Sequence, residues 1–215
     1  MKRFVLSYSC GKDSTLALHR LIKRGNKPLA LIVTVNKEVN RSWFHGVPDE
    51  VLNRVSKSLD IPLIKVICSG NEYESEFEKA LVKSKELGAT TCAFGDIDII
   101  AHRKWCDDRC KNVGMESEFP LWQEDREEIT NEVIQNGFKA MVKCCNNKFL
   151  GEHFLGEILT KDLIQKIKDC GADACGENGE YHTFVFDGPI FKEQVKFKQK
   201  EIFKNNGYNH LIIEE

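Results

Sequence analysis

Residues 4–24, FVLSYSCGKDSTLALHRLIKR, read as a buried strand, a tight polar turn and an amphipathic helix. The apolar run Phe4-Val5-Leu6 suits a strand covered on both faces. Ser7, Ser9, Gly11, Asp13 and Ser14 are turn and cap residues, and Leu16, Leu18, Leu21 and Ile22 then recur at helical spacing. A small-residue turn that opens a helix presents unpaired backbone N–H groups and the positive end of the helix dipole, which together attract an anion. Lys12 places a cation in the same turn. The anion expected is phosphate or pyrophosphate. The turn is not a Walker A loop, which needs G-x-x-x-x-G-K-[ST]; no glycine stands five residues before Gly11.

Outward from this corner, strand and helix alternate. Residues 28–35 (PLALIVTV) read as a second buried strand, and residues 36–47 as a loop carrying Trp43, Phe44, His45 and Gly46. Pro48 marks a helix start, with Val51, Leu52, Val55 and Leu59 on its apolar face. Residues 63–67 are a third strand, and residues 73–87 a charged helix with Phe77, Leu81 and Leu87 inward. Residues 91–94 form a fourth strand ending in Gly95-Asp96, and residues 97–113 the next helix. Repeated βα units at this spacing predict an α/β fold, a doubly wound parallel sheet with helices on both faces. In such sheets ligands lie beyond the carboxyl ends of the strands, at the switch in strand order. Three features stand there: the loop from Ser9 to Ser14, Thr34, and Gly95-Asp96. Asp96 suits Mg²⁺, a ribose hydroxyl, or a helix N-cap.

The second half changes character. Pro120 breaks the βα rhythm, residues 125–136 and 159–169 read as helices, and residues 138–145 as a strand. Asn205-Asn206-Gly207 is a hairpin turn, so the chain is expected to end in antiparallel strands. Residues 175–191, CGENGEYHTFVFDGPIF, place Glu177, Glu180 and His182 close together, with the Thr183 hydroxyl beside them. Charged groups beside Phe184 and Phe186 need partners. A binding site and a salt-bridged hairpin explain them equally well.

Composition bounds the function. Charged residues make up 30% of the 215 and hydrophobic residues 41%, as in ordinary globular proteins. A net charge of −2 argues against non-specific nucleic-acid binding. No apolar run is long enough for a membrane span, and Met1-Lys2-Arg3 runs straight into a strand without a signal-peptide core, so a cytoplasmic protein is expected. The nine cysteines are odd in number and include no C-x-x-C, so reduced thiols are expected rather than a disulfide framework or zinc ribbon. His102, Cys106 and Cys110 share one helix face; a partly buried helix explains them more simply than a metal, since spacing places no fourth ligand. Arg103 and Arg109 on that helix are read as a solvated face, with phosphate contact as the alternative.

Ser9-Cys10-Gly11-Lys12-Asp13-Ser14 resembles the S-G-G-K-D-S PP-loop of the N-type ATP pyrophosphatases, which are adenine nucleotide alpha hydrolase-like proteins. Cys10 stands where that loop usually has its first glycine. The later G-E-N-G-E-Y-H-T-F-V-F-D-G-P, with F-H-G at residues 44–46, F-G-D-I at 94–97 and F-P-L-W at 119–122, is similar to the diphthine–ammonia ligase family over nearly the whole chain. That resemblance implies a five-stranded Rossmann-like PP-loop (HUP) ATP-binding domain over residues 1–118 and a smaller C-terminal α+β substrate domain over 119–215. The long extra domain fused onto eukaryotic members is not expected.

The resemblance also implies a reaction. Attack of a carboxylate on the α-phosphorus of ATP gives an acyl-adenylate and pyrophosphate; ammonia then displaces AMP and leaves an amide. Ser9, Cys10, Gly11, Lys12, Asp13 and Ser14 would bind ATP, with Thr34 near the adenine and Gly95 and Asp96 completing the cleft. Asp13 or Asp96 would hold Mg²⁺. Lys12, Asp13, Glu180 and His182 would serve catalysis. His45, Glu177, Asn178, Gly179, Glu180, His182 and Thr183 would bind the acceptor and the incoming amine, a negative pocket suiting the trimethylammonio group of diphthine. In an archaeal or eukaryotic host the acceptor would be diphthine on elongation factor 2. An adenylating enzyme acting on another carboxylate, as in a bacterial homologue, is the main alternative. An RNA-modifying PP-loop enzyme and a nucleotide sensor follow. The ammonia source and oligomeric state stay open, a homodimer included.

Overall fold

The computed structural model describes residues 1–43 and 45–215, so Phe44 of the F-H-G motif lies outside the described residues. Strand β1 (Arg3–Ser7) leads into helix α1 (Lys12–Lys23) and strand β2 (Lys27–Asn36). A two-residue strand β3 (Arg41–Ser42) precedes α2 (Asp49–Leu59) and β4 (Leu63–Cys68). The first half ends with α3 (Tyr73–Glu86), β5 (Thr91–Ala93), α4 (Ile100–Asn112) and β6 (Glu116–Glu118). Five strands run parallel in the order β4-β2-β1-β5-β6, and β3 pairs antiparallel with the carboxyl end of β2.

The pleat of β1 explains the two layers. Phe4 and Leu6 pack with Leu16, Leu18 and Leu21 of α1 and Val51, Leu52 and Val55 of α2. Val5, between them, points the other way and packs with Phe77 and Leu81 of α3 and Cys106 and Cys110 of α4. Each fully buried Leu or Phe contributes roughly 1.5–3 kcal/mol, so this sandwich fixes the sheet firmly. The result is the doubly wound parallel sheet that the βα alternation predicts.

The rest of the chain adds α5 (Arg126–Gln135), β7 (Lys139–Asn146), α6 (Lys161–Asp169), β8 (Tyr181–Asp187), β9 (Lys198–Asn205) and β10 (Tyr208–Glu214). Its four strands form a second, antiparallel sheet in the order β8-β7-β10-β9. Both helices begin on side-chain caps: Asp125 accepts the Glu128 amide at 2.9 Å, and Thr160 the Leu163 amide at 3.1 Å. Asn206, at φ 47°, and Gly207 turn β9 into β10 as the tripeptide predicts. The core on the α1/α2 face continues into this half through Ala140, Met141, Phe184 and Leu211, so the two sheets share one hydrophobic interior.

Several local expectations are corrected. Leu87 is 46% exposed rather than inward, because α3 ends at Glu86 and Leu87 is its C-cap. Helix α4 begins at Ile100, three residues later than its sequence suggests; its N-cap is Ile99, so Asp96 caps nothing. The stretch 36–47 is not all loop, since it contains β3. Among the described residues no helix is long and apolar enough to cross a membrane.

Candidate functional site

The strand order reverses between β1 and β5, so the segments leaving these two strands part and open a crevice at their carboxyl ends. After β1 the backbone turns through Cys10 at φ +65°, the left-handed region that a glycine enters freely and other residues enter at roughly 1–2 kcal/mol. The chain tolerates cysteine here because the thiol is wholly buried in the core and the Cys10 carbonyl accepts the Val185 amide at 2.8 Å. Ser9 Oγ accepts the Gly11 amide at 3.2 Å and lies 3.1 Å from Ser14 Oγ. The Lys12 amide donates to Thr183 Oγ1 at 3.0 Å. Two close approaches demand glycine. A Cβ on Gly11 would lie 2.5 Å from His45 Cε1, and one on Gly95 would lie 2.7 Å from the Ser14 amide nitrogen.

The crevice is a cavity of about 570 Å³, within the roughly 300–1,000 Å³ range of small-molecule sites. Ser9, Lys12, Asp13 and Ser14 line it from the β1–α1 loop. Lys12 is buried, and its Nζ lies 2.9 and 2.8 Å from the two Asp13 carboxylate oxygens and 5.6 Å from the Tyr181 ring centroid. Burial is the largest single influence and opposes the Lys12 charge, but Asp13, together with Cys175 and Tyr181, outweighs it and holds the ammonium pKa well above its ordinary value. A permanent cation therefore sits at the amino end of α1.

Across from this corner Thr34, Ile32 and Val33 of β2 meet an aromatic wall. Tyr73 stacks on Trp105 at 5.1 Å with the rings 8° apart, and Trp43 lies 6.4 Å from Tyr73. Stacked rings offer a flat apolar surface suited to a planar heterocycle. Asp96 lines the cavity between the two regions, with His102 Nδ1 3.6 Å away. Burial raises its pKa, the Asp13 charge adds to that, and His102 opposes it.

The second half of the chain closes the cavity with Cys175, Glu177, Tyr181, His182 and Thr183. Burial and the neighbouring Asp13 charge lift the Glu177 carboxyl to about 7. His45 Nδ1 lies 2.6 Å from the Thr183 carbonyl oxygen, and its ring centroid is 5.1 Å from that of His182. Burial, with His182, Lys12 and Lys143 nearby, pushes His45 down to about 3; burial and Lys12 push His182 down to about 4. The loop that carries Glu177 is anchored from behind. Arg126 grips both Asp98 oxygens and one of Asp173 at 2.7 Å, while Asp173 accepts the Cys175 and Gly176 amides at 2.6 and 3.1 Å.

Of the residues singled out from sequence, Ser9, Lys12, Asp13, Ser14, Thr34, His45, Gly95, Asp96, Glu177, His182 and Thr183 line this one cavity. Cys10 and Gly11 lie behind it as backbone scaffolding. Glu180, Asn178 and Gly179 are not in its wall. Glu180 is 4% exposed and its carboxylate accepts the Asn178 and Asp173 amides at 3.0 and 3.3 Å, so it shapes the loop instead of facing a ligand. Neither Arg103 nor Arg109 lines the cavity: Arg103 lies over Phe119 and Trp122, while Arg109 pairs with Glu74 and packs on Trp105 with its side chain only 16% exposed, rather than on a solvated face. Among the described residues no group of three His, Cys, Asp or Glu side chains is placed to hold a metal ion alone. Tyr73, Trp105, Tyr181 and Cys175 escaped the sequence reading. Trp105 carried a signal, as a large aromatic on a helix with little apolar character.

Comparison with known proteins places the chain in a family. The model described as the diphthamide synthase N-terminal domain matches residues 1–117, and the diphthamide synthase C-terminal domain matches residues 125–214. The chain is 24% identical over 222 residues to a diphthine--ammonia ligase of Schizosaccharomyces pombe, covering 92% of this chain and 36% of that protein. It is 31% identical over 151 residues to a diphthine--ammonia ligase of Homo sapiens, covering 68% of this chain and 56% of that protein. The matched region is thus about a third of the first relative and just over half of the second. A solved structure described as a predicted subunit of tRNA methyltransferase from Methanocaldococcus jannaschii aligns with a TM-score of 0.47 at 16% identity, over 91% of this chain and 100% of that one. With family matches on both halves, each over the half that supplies one side of the cavity, the chain belongs to the diphthamide synthase family.

Proposed function

We propose that the chain is an ATP-dependent ligase that activates a carboxylate by adenylation, releasing pyrophosphate, and converts it to an amide with ammonia. Diphthine is the acceptor that fits the names of its relatives, and the family resemblance implies that it is carried on elongation factor 2. Residues 1–118 would then bind the nucleotide and residues 119–215 the acceptor. One observation carries the reading: the Lys12 amide and the Thr183 hydroxyl are joined at 3.0 Å, so the phosphate-binding corner and the polar wall of β8 share one cavity.

ATP supplies the leaving group that a carboxylate lacks; the protein's work is positioning and charge neutralisation. Lys12 and the amino end of α1 would neutralise the phosphates. Ser9 and Ser14 present hydroxyls to the same corner, and Thr34 with the Tyr73–Trp105 stack would take the base. Asp96, with Asp13, supplies hard oxygen donors of the number Mg²⁺ uses when phosphates complete its shell. Glu177 faces the cavity as a carboxyl poised near neutrality, and a quaternary ammonium beside it would favour its ionised form.

Incubation with ATP, ammonium and diphthine-bearing elongation factor 2 should release AMP and pyrophosphate and form an amide. Lys12→Ala should abolish both. Production of ADP, or full turnover by Lys12→Ala, would refute the reading. AMP release with another carboxylate but not with diphthine would redirect the acceptor.

A further inference from the structure

The cavity wall contains two imidazoles that the activation of a carboxylate does not need. His45 arrives from the segment after β3 and His182 from β8, and their centroids stand 5.1 Å apart at a 58° tilt. Both line the cavity, and His45 packs directly over the phosphate-loop backbone, where a Gly11 Cβ would lie 2.5 Å from its Cε1. The 2.6 Å contact between His45 Nδ1 and the Thr183 carbonyl fixes the tautomer. A carbonyl oxygen only accepts, so Nδ1 carries the proton and Nε2 is a bare acceptor. The His182 imidazole makes no hydrogen bond to protein among the described residues, while its backbone pairs with Cys144 of β7.

We propose that the His45–His182 pair is the ammonia subsite of this ligase, with His45 Nε2 accepting an N–H of neutral ammonia and aiming its lone pair at the activated acyl carbon. The inference rests on the ligase reading above and deepens it. The groups facing the pair support the neutral ligand. Lys12 and Lys143 place positive charge near His45, and Lys12 and His210 act in the same sense on His182. Asp13 and Glu180 oppose this at His182, but burial and Lys12 prevail. Fields that keep two imidazoles uncharged also disfavour ammonium in the same place. Neutral imidazoles remain acceptors throughout the physiological range.

The step balances. The nitrogen lone pair forms the C–N bond while the bond from the acyl carbon to the phosphate oxygen breaks, and AMP leaves with that electron pair. The nitrogen then sheds one proton along its hydrogen bond to Nε2, and the weakly basic imidazole passes it on to solvent.

Hydroxylamine tests the subsite, because it is a strong nucleophile that is already neutral at pH 7. With ATP and diphthine-bearing elongation factor 2, His45→Ala should lower the ratio of kcat/KM for ammonia to kcat/KM for hydroxylamine at least tenfold, whatever loss the two nucleophiles share. The variant's KM for ammonia should rise at least tenfold. His182→Ala should shift the same ratio in the same direction. Equal losses with ammonia and hydroxylamine, or an unchanged KM for ammonia, would overturn the proposal while leaving the ligase reading intact. No carboxylate-dependent ATP–pyrophosphate exchange in the unsubstituted protein would overturn the ligase reading itself, and with it this subsite. Measuring far-ultraviolet circular dichroism and nucleotide binding on each variant separates these outcomes from misfolding.

Discussion

The Val185 amide donates to the Cys10 carbonyl at 2.8 Å. This hydrogen bond crosses from the antiparallel sheet to the turn between β1 and α1, and it is formed where that turn adopts a left-handed backbone. The corner between β1 and α1 is therefore not free-standing. Its shape depends on β8, the strand that also carries His182 and Thr183 into the cavity. The two halves are coupled through backbone geometry, so damage at one wall of the cavity should be felt at the other.

Thr183→Val tests that coupling. The substitution preserves shape but removes the acceptor of the buried Lys12 amide. A buried donor left without a partner costs about 1–3 kcal/mol. Urea unfolding should show a loss of that size, and titration calorimetry should show weaker ATP binding, since the lost contact lies at the first residue of α1. Thr183→Ser, which keeps the oxygen, should restore most of both. Equal behaviour of the Val and Ser variants would mean that the hydroxyl does not hold the loop.

A series at Cys10 separates backbone strain from side-chain packing. Glycine relieves the left-handed conformation but surrenders a fully buried side chain, two effects of about 1 kcal/mol and opposite sign. Cys10→Gly should therefore unfold within about 1 kcal/mol of the parent. Cys10→Val adds bulk to a closed core and places a β-branched residue at positive φ, and should cost about 2–4 kcal/mol. A Val variant as stable as the Gly variant in thermal denaturation would show that the loop takes another conformation.

The parallel sheet was legible because its signal is repetitive: buried apolar strands followed by helices with one apolar face. The loop from Ser9 to Ser14 was legible because small residues, a lysine and a helix start converge within six positions. What stayed hidden depended on tertiary contacts. Glu180 looked equivalent to Glu177 in sequence, yet the turn through Gly179 sends its carboxylate back onto the amides of Asn178 and Asp173. Tyr73 and Trp105 are 32 residues apart and become one stacked surface only when α3 and α4 pack together on one face of the sheet. Asp96 resembled a helix cap because sequence does not reveal that α4 starts at Ile100.

Gly95 offers a sharp steric test. An added Cβ would lie 2.7 Å from the Ser14 nitrogen and 2.9 Å from the Asp13 carbonyl carbon, both backbone atoms that cannot swing aside. Overpacking of this kind costs about 1–3 kcal/mol, and the relief available is to push the two loops apart. Gly95→Ala should therefore lower ATP affinity by about tenfold or more, that being the equivalent of about 1.4 kcal/mol. Calorimetry with a non-hydrolysable ATP analogue checks it. Unaltered affinity would mean that the segment after β5 takes no part in the nucleotide site.

Glu177 makes a pH prediction whose sign follows from its environment. Burial, reinforced by Asp13, raises its carboxyl from 4.5 to about 7 in the folded protein. Between those two values the folded chain keeps a proton that the unfolded chain has released. Stability from this group is therefore lost as pH climbs through that window. Glu177→Gln cannot titrate and removes the slope. Relative to the parent, the variant should gain thermal stability on moving from pH 5 to pH 8, with most of the change between pH 4.5 and 7. The same variant should bind a tetramethylammonium probe no more tightly at pH 8 than at pH 5, whereas the parent should bind it more tightly at pH 8, when the carboxylate is ionised. Parallel melting curves for parent and variant across this range would place the carboxyl in water, outside the cavity wall, and would remove the negative group on which the cationic-acceptor reading leans.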